Sequence, residues 1–161
     1  MNAKELRRLM PRDAQDVEAA RTLVALGYPT LQPVCRDMLR RIKDHKSPVA
    51  DVFCDFFAGV GEPVAAEINE ILLWSKLPNL KYKLVANVVA RWPREAISKV
   101  THSLQMLVSH TDFFETDLLC IQLLDKYQLS ERDWLKQWLD FKRKRIEKYR
   151  AFAVELEKQL A

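Results

Sequence analysis

The sequence predicts an all-α fold in which short helices follow one another in pairs. Prolines recur at fifteen-residue intervals, at positions 33, 48, 63, 78 and 93. Proline is accepted in the first turn of a helix and disrupts a helix interior, so evenly spaced prolines indicate evenly spaced helices. Glycine is scarce, with three in 161 residues, and no alternating apolar pattern of useful length predicts a β-strand.

Capping residues and apolar spacing together predict eight helices. Asp13 is expected to cap the first helix and Gly27 to end it. Ser47 precedes the proline that opens the third helix, Thr111 is expected to cap the seventh, and Ser130 resembles the start of a capping box for the last. The predicted helices cover about residues 14–26, 31–44, 48–59, 63–75, 79–92, 94–109, 112–127 and 131–160.

The helices repeat as pairs of 30 to 34 residues, twice the spacing of the prolines. Pro29 and Pro63 each follow a glycine by two residues and stand 34 residues apart, and Pro93 comes 30 residues later. A period in this range with two helices per unit predicts an α-solenoid. We expect one domain over residues 1–161, with helix pairs over about 14–110 and a C-terminal helical extension over 111–161 that ends in a long helix.

Two turns carry a resemblance to the HEAT-repeat class. Gly27-Tyr28-Pro29 and Gly61-Glu62-Pro63 are each followed by a helix, a short loop and a second helix. Over about residues 5–100 the chain resembles, more narrowly, a family of short bacterial HEAT-like proteins of unknown function. The resemblance rests on four short motifs: Pro-Arg-Asp before the first predicted helix, Gly-Tyr before the second, Pro-Val in the third and Lys-Tyr in the fifth. The resemblance implies a right-handed solenoid and no particular activity, and HEAT-like scaffolds generally bind proteins or nucleic acids.

The net charge of +4 is unevenly distributed. Residues 141–150 carry six basic side chains against Glu147 alone, which leaves the rest of the chain close to neutral. Such a basic segment can attract nucleic acid, acidic lipid or acidic protein. Because its charges spread around the helix at 100° per residue, a solvated helix is the favoured interpretation.

The sequence contains no motif for catalysis, and we expect a non-enzymatic protein without a metal or a cofactor. It has no glycine-rich phosphate loop, no GxSxG and no HExxH. The three cysteines form no CxxC pair and are expected to be buried, and the histidines are expected at surfaces and helix ends: Cys35, Cys54, Cys120, His45, His102 and His110.

Five polar residues on the third and fifth predicted helices form the first candidate binding surface. Asp51 and Asp55 lie one turn apart on one helix, and Lys83, Asn87 and Arg91 occupy the equivalent side of the other. In a HEAT-like stack, these second helices of successive pairs line one concave surface. The two rows predict either a docking surface for a partner protein or a ladder of salt bridges between repeats.

The tryptophans supply the second candidate. Trp74 and Trp92 lie beside apolar residues at helix ends and are expected in the core. Trp134 and Trp138 lie one turn apart on the last helix, where they either are buried or form an open aromatic row for a partner. The last helix is expected to pack on the body through an apolar stripe: Leu135, Leu139, Ile146, Ala153 and Leu160.

Three classes of function fit these features. The preferred hypothesis is a protein-binding module, most specifically an immunity protein that neutralises a bacterial toxin. The alternatives are a nucleic-acid-binding protein related to HEAT-like DNA glycosylases and a homo-oligomeric scaffold joined through Phe113, Phe114 and the tryptophan row. The sequence lacks an apolar stretch long enough for a membrane span or a signal peptide, so a cytoplasmic location is expected.

Overall fold

A computed structural model describes residues 1–44, 46–110, 112 and 114–160. The described residues form ten α-helices and no strand, which confirms the all-α prediction. The helices are α1 (Ala3–Arg8), α2 (Val17–Val24), α3 (Cys35–Arg41), α4 (Pro48–Val60), α5 (Ala65–Trp74), α6 (Pro78–Asn87), α7 (Arg94–Ser98), α8 (Thr101–Val108), α9 (Thr116–Lys126) and α10 (Arg132–Leu160), with 3₁₀ turns at Gln32–Val34, Glu62–Val64 and Val89–Arg91.

The prolines mark the helix starts, as the spacing predicts. Pro48 and Pro78 are the first residues of α4 and α6. Pro33 and Pro63 lie in the 3₁₀ turns that lead into α3 and α5, and Pro93 precedes α7. A first-turn position suits proline because the amide hydrogen that it lacks would have no partner within the helix.

The N-terminal segment differs from the prediction. Helix α1 was not expected, although Asn2 and Glu5 form a reciprocal capping box at its start. Asp16, three residues beyond Asp13, is the N-cap of α2 and accepts a hydrogen bond from the Ala19 amide. Asp13 instead accepts from the backbone of Gln15, so it shapes the preceding turn.

Three residues with predicted roles lie outside the described residues. They are His45 in its predicted turn, Thr111 as the predicted cap of the seventh helix, and Phe113 as a predicted dimer contact. The sixth predicted helix is divided into α7 and α8, and the long last helix is present as α10.

The helices contact one another in two rows. In the first row α1 contacts the 3₁₀ turn before α3, α3 contacts α5, and α5 contacts α8. In the second row α2 contacts α4, α4 contacts α6, and α6 contacts α9, while α3–α4, α5–α6 and α8–α9 join the rows. This is the contact order expected of stacked helix pairs. The right-handed solenoid and the HEAT class itself stay predictions.

Bonds between successive pairs follow the repeat length. The Trp92 indole Nε1 donates to the Phe57 carbonyl oxygen at 3.0 Å, 35 residues away in sequence. The Asn69 amide donates to the Lys99 carbonyl oxygen at 2.9 Å, 30 residues away. Both acceptors are carbonyl groups near helix ends, and the Phe57 carbonyl also accepts from the Gly61 amide at 3.2 Å. These bonds between side chains of one pair and the backbone of the next fix the register of the stack.

The core lies between the two rows. Its largest fully buried side chains include Phe53, Phe57 and Trp92, which confirms the expectation for Trp92. Trp74 contradicts the matching expectation, because 78% of it is exposed. Its position on α5, four residues after Glu70, places it on the polar side of that helix, opposite the buried Leu72.

The last helix packs on the body only over its beginning. Leu135 is buried against the core and α10 contacts α9, but every residue from 143 to 160 is exposed. The predicted packing stripe is therefore wrong beyond Leu135: Leu139, Ile146, Ala153 and Leu160 are all exposed. Lys142 lies beside Asp117 at the start of α9, and the helix extends past that point, so no element of the described body reaches its outer half.

Candidate protein-binding surface

The predicted polar rows do meet, on neighbouring helices of the second row. We call this surface the α4–α6 face and define it by Asp51, Asp55, Lys83, Asn87 and Arg91. The Arg91 guanidinium lies 2.6 Å from the Asp55 carboxylate, and the Lys83 ammonium lies 3.4 Å from the Asp51 carboxylate. The Arg91 guanidinium also donates to the Asn87 carbonyl oxygen at 3.5 Å.

The members of this face differ sharply in exposure. The Lys83 side chain is only 5% exposed, and its Nζ also donates to the Asp44 carbonyl oxygen at 2.9 Å. Its expected place on the open polar side is therefore corrected, since the ammonium group is enclosed by the loop before α4. The carboxylates stay open, with 69% of the Asp51 side chain and 71% of the Asp55 side chain exposed. Seen from outside, the face presents two fixed carboxylates, with Arg91 half-exposed beside Asp55.

Similar ion pairs join other repeats. Arg7 pairs with Asp37 at 2.8 Å, Lys99 pairs with Glu62 at 3.1 Å, and Arg36 pairs with Glu70. Their partners are 30 to 37 residues apart in sequence, as on the α4–α6 face. The ladder interpretation thus matches the geometry, and a docking role would have to use charges that the ladder already holds in place.

The cysteines around this framework hold their protons. Burial raises the pKa of the Cys54 thiol, beneath the α4–α6 face, to about 11. Burial also raises the pKa of the Cys35 thiol and the Cys120 thiol to about 12 each. Because the thiolate is the reactive form, these buried thiols are poor nucleophiles near neutral pH.

Trp134 and Trp138 lie at the base of α10, half-buried against the core. Their rings meet edge to face with centroids 6.2 Å apart, and Trp138 meets the Phe141 ring in the same way at 5.7 Å. The aromatic row is therefore closed on the body side and open toward Phe141, which is exposed. The ammonium of Lys142 lies 5.8 Å from the Trp138 ring.

A buried ion pair fixes the helix at this point. Lys142 and Asp117 are both nearly inaccessible to solvent, and their charged groups are hydrogen-bonded. The backbone amide of Leu118 donates to the other Asp117 carboxylate oxygen at 3.0 Å. Lys142 is the one basic residue of segment 141–150 whose side chain is buried. The sequence did not indicate its burial.

A second exposed surface was not predicted from the sequence. Trp74 lies with Leu77 at the end of α5, beside the basic side chains of Arg36, Arg40 and Lys43. Tryptophan and arginine are the residues that contribute most to protein–protein binding. The signal was available in the helical spacing, because Glu67, Glu70 and Trp74 share one side of α5.

The histidines and carboxylates do not assemble a metal site in the described part of the chain. No group of three or more His, Cys, Asp or Glu side chains there could hold a metal ion. His102 and His110 are exposed, and the His110 ring nitrogen Nδ1 lies 2.8 Å from the Met106 carbonyl oxygen. None of the described helices is both long and apolar enough to cross a membrane.

These features define a protein built of paired helices, compatible with the helical-repeat class. The chain belongs to the DUF5071 family, a domain of unknown function, whose family model matches residues 9–123. The match runs from the segment before α2 to the last turn of α9, so α10 lies beyond it. No curated protein and no solved structure matches the chain.

Proposed function

We propose that this protein is a non-enzymatic binding module that holds another protein on its α4–α6 face. One observation carries the proposal: Asp51 and Asp55 are largely exposed, yet each is held by a basic side chain from the next repeat. Carboxylates that are already fixed lose little conformational freedom when a partner binds. The face is therefore preorganised for a partner with complementary charge.

The spacing of the two carboxylates indicates what that partner presents. At four residues apart on α4 they are separated by about 6 Å along the helix axis. Two basic side chains of a partner could each meet one carboxylate, and complementary charge of this kind steers association and fixes the register of docking. A partner with a basic surface is thus favoured over an acidic one.

In its most specific form, the proposal is an immunity protein that neutralises a bacterial toxin. A toxin that acts on nucleic acid must present basic residues to phosphate groups. An acidic face on a rigid helical scaffold is suited to covering such a surface. Trp134 and Trp138 would add contacts through the open end of their aromatic row, next to the exposed Phe141.

The first experiment is co-expression with the product of the adjacent gene. We expect the two proteins to co-purify, and the neighbouring product to be toxic to cells that lack this chain. If the neighbour neither binds this protein nor harms such cells, the immunity proposal is wrong.

Charge reversal then tests the surface in the complex so obtained. Changing Asp51→Arg together with Asp55→Arg should weaken binding at least about 100-fold, because like charges would then face each other. Glu62→Arg is the matched control, since Glu62 is also exposed and paired with a basic side chain, Lys99, but lies away from the α4–α6 face and from α10. Loss of binding with unchanged helicity supports the face, whereas unfolding of the double variant, or equal loss in the control, contradicts it.

Nucleic-acid binding of the DNA-glycosylase-like kind is the second candidate, for one reason. Several basic side chains in the first exposed turns of α10 are open to solvent, including Arg143, Lys144 and Lys148. Binding through phosphate contacts should fall steeply as salt rises. A gel-shift titration with duplex and single-stranded DNA at two salt concentrations tests it, and an absence of binding at low salt would eliminate this candidate.

A further inference from the structure

Helix α10 carries a continuous apolar seam, which is exposed over the outer half of the helix, residues 143–160. Along the helix from its base, the spacing of the seam positions alternates between four and three residues, and Lys142 is the one polar member. The seam consists of Leu135, Leu139, Lys142, Ile146, Tyr149, Ala153, Leu156 and Leu160. Beyond Lys142 all of these residues are exposed, and Ile146 is 53% exposed.

The period of the seam indicates another helix as its occupant. A mean spacing of 3.5 residues is typical of a seam that packs against one helix in a coiled coil. A helix that lies on a membrane would instead gather its basic residues opposite a broad apolar face. Here Arg143 and Arg150 flank the seam on one side and Arg145 flanks it on the other.

The distribution of charge along α10 sets the direction of pairing. Residues 142–150 carry six basic side chains and one acidic, whereas residues 151–160 carry two acidic and one basic. A parallel pair would place the two strongly basic segments side by side, and like charges at such positions oppose association. An antiparallel pair places each basic segment beside the distal segment that holds Glu155 and Glu157.

We propose that residues 143–160 pair antiparallel with the same segment of a second copy of this chain. The charge pattern is self-complementary, because one two-fold operation satisfies both halves at once. With the axis near residue 151, Tyr149 faces the small Ala153 of the second copy and Ile146 faces its Leu156. The same register brings Arg143 beside Glu157 of the second copy.

The geometry leaves room for this arrangement. Eighteen residues of helix extend about 27 Å beyond Lys142. The Lys142–Asp117 ion pair anchors each helix to its own body, so the two repeat bodies lie at opposite ends of the pair. The α4–α6 face takes no part in the pairing, and the inference is therefore independent of the proposed function.

Analytical ultracentrifugation of the full chain over a range of concentrations tests the pairing. We expect a monomer–dimer equilibrium for the native sequence. Ile146→Glu should weaken the dimer at least about 100-fold, because a symmetric dimer loses two apolar contacts at once. The matched control is Val154→Glu, since Val154 is as exposed as Ile146, at 51%, but lies off the seam; it should change the dissociation constant less than about 3-fold.

Two outcomes of that experiment would overturn the proposal. The first is a native chain that stays monomeric at every concentration, including one that binds anionic phospholipid vesicles as a monomer. The second is an equal effect of Ile146→Glu and Val154→Glu. Because neither residue touches the body, thermal unfolding of the body should be the same in both variants, which separates a loss of pairing from a loss of folding.

Disulfide trapping tests the direction. The native cysteines are buried, so an introduced thiol reports on its own surroundings. A mixture of an Arg143→Cys chain and a Glu157→Cys chain should oxidise mainly to the mixed dimer, and Leu160→Cys alone should form little dimer. Efficient oxidation of Leu160→Cys to a homodimer would instead show parallel pairing and overturn the proposed arrangement.

Discussion

The repeat body and the outer half of α10 carry the same kind of apolar pattern but expose it differently. On α4 the apolar residues recur three and four apart, and Phe53 and Phe57 are completely buried. On the outer half of α10 the same spacing places Ile146 and Tyr149 in solvent. The pattern identifies which side of a helix needs to be covered. What covers that side is decided by the neighbouring helices, and the described part of the body supplies none beyond Lys142.

One buried ion pair joins the two regions. Asp117 comes from the start of α9 and Lys142 from the last turn of α10 that lies against the body. On the body side of this pair Leu135 is buried, and beyond it the whole helix is exposed. The pair therefore sets the boundary at which intramolecular packing ends and a surface for association begins.

The largest effect expected within the body comes from Trp92→Ala. Trp92 is fully buried and its indole donates to the Phe57 carbonyl of the preceding pair, so its loss leaves a cavity and removes a bond between the pairs. We expect a loss of about 3–5 kcal/mol in the free energy of unfolding, measured by urea titration. Trp74→Ala is the matched control, and it should cost less than about 0.5 kcal/mol. Equal losses for the two tryptophans would contradict the described core.

The boundary between the regions is tested by Asp117→Ala. The change leaves the buried Lys142 ammonium without its counter-charge, and we expect a loss of about 3 kcal/mol in unfolding free energy. Adding Lys142→Met to that variant should recover most of the loss, since it removes the unpaired charge. If the single and double variants lose the same amount, the ion pair has no part in fixing α10.

The starts that proline marks could be predicted from the sequence because each depends on a local property. Pro48 and Pro78 open α4 and α6 for reasons contained within one turn of chain. The missed helix α1 was also locally encoded, through Asn2 and Glu5. Exposure was harder to predict. Trp74 and Trp92 both follow apolar segments, and only the packing of the helices shows that Trp92 is buried and Trp74 is exposed.

The candidate surface was predicted in part for the same reason. Helical spacing placed Asp51 and Asp55 on one side of α4, and the repeat length placed Lys83 and Arg91 opposite them. The burial of Lys83 depends on the path of the loop before α4, where its ammonium meets the Asp44 carbonyl oxygen. A loop path of this kind has no periodic signal in the sequence.

The buried thiols make the stability of the repeat body depend on pH. Burial raises the pKa of Cys35 and Cys120 to about 12, against about 9 in the unfolded chain. Between these values the unfolded chain binds fewer protons, so stability is complete below about pH 9 and falls as the pH rises toward 12, by roughly 1 kcal/mol per pH unit for each thiol.

Urea titrations at pH 8 and pH 10 measure this loss, and alkylation at pH 8 gives a second readout. The native thiols should react at the rate of unfolding, while a thiol introduced by Val154→Cys on α10 should react at once. Fast alkylation of the native cysteines in the folded protein would contradict their burial.

The smallest effect is expected on the α4–α6 face, where a ladder and a docking surface make different predictions. Asp55→Ala removes one exposed ion pair with Arg91, and such pairs contribute about 0–1 kcal/mol. We therefore expect unfolding free energy to change by less than about 1 kcal/mol, and by still less at high salt, where the pair is already screened. Arg7→Ala removes a comparable exposed pair with Asp37 on the other row and should change the unfolding free energy by a similar amount.

A much larger loss of unfolding free energy for Asp55→Ala than for Arg7→Ala would show that the α4–α6 face serves folding. If the two variants are equally stable and only Asp55→Ala binds the partner more weakly, the α4–α6 face serves partner recognition.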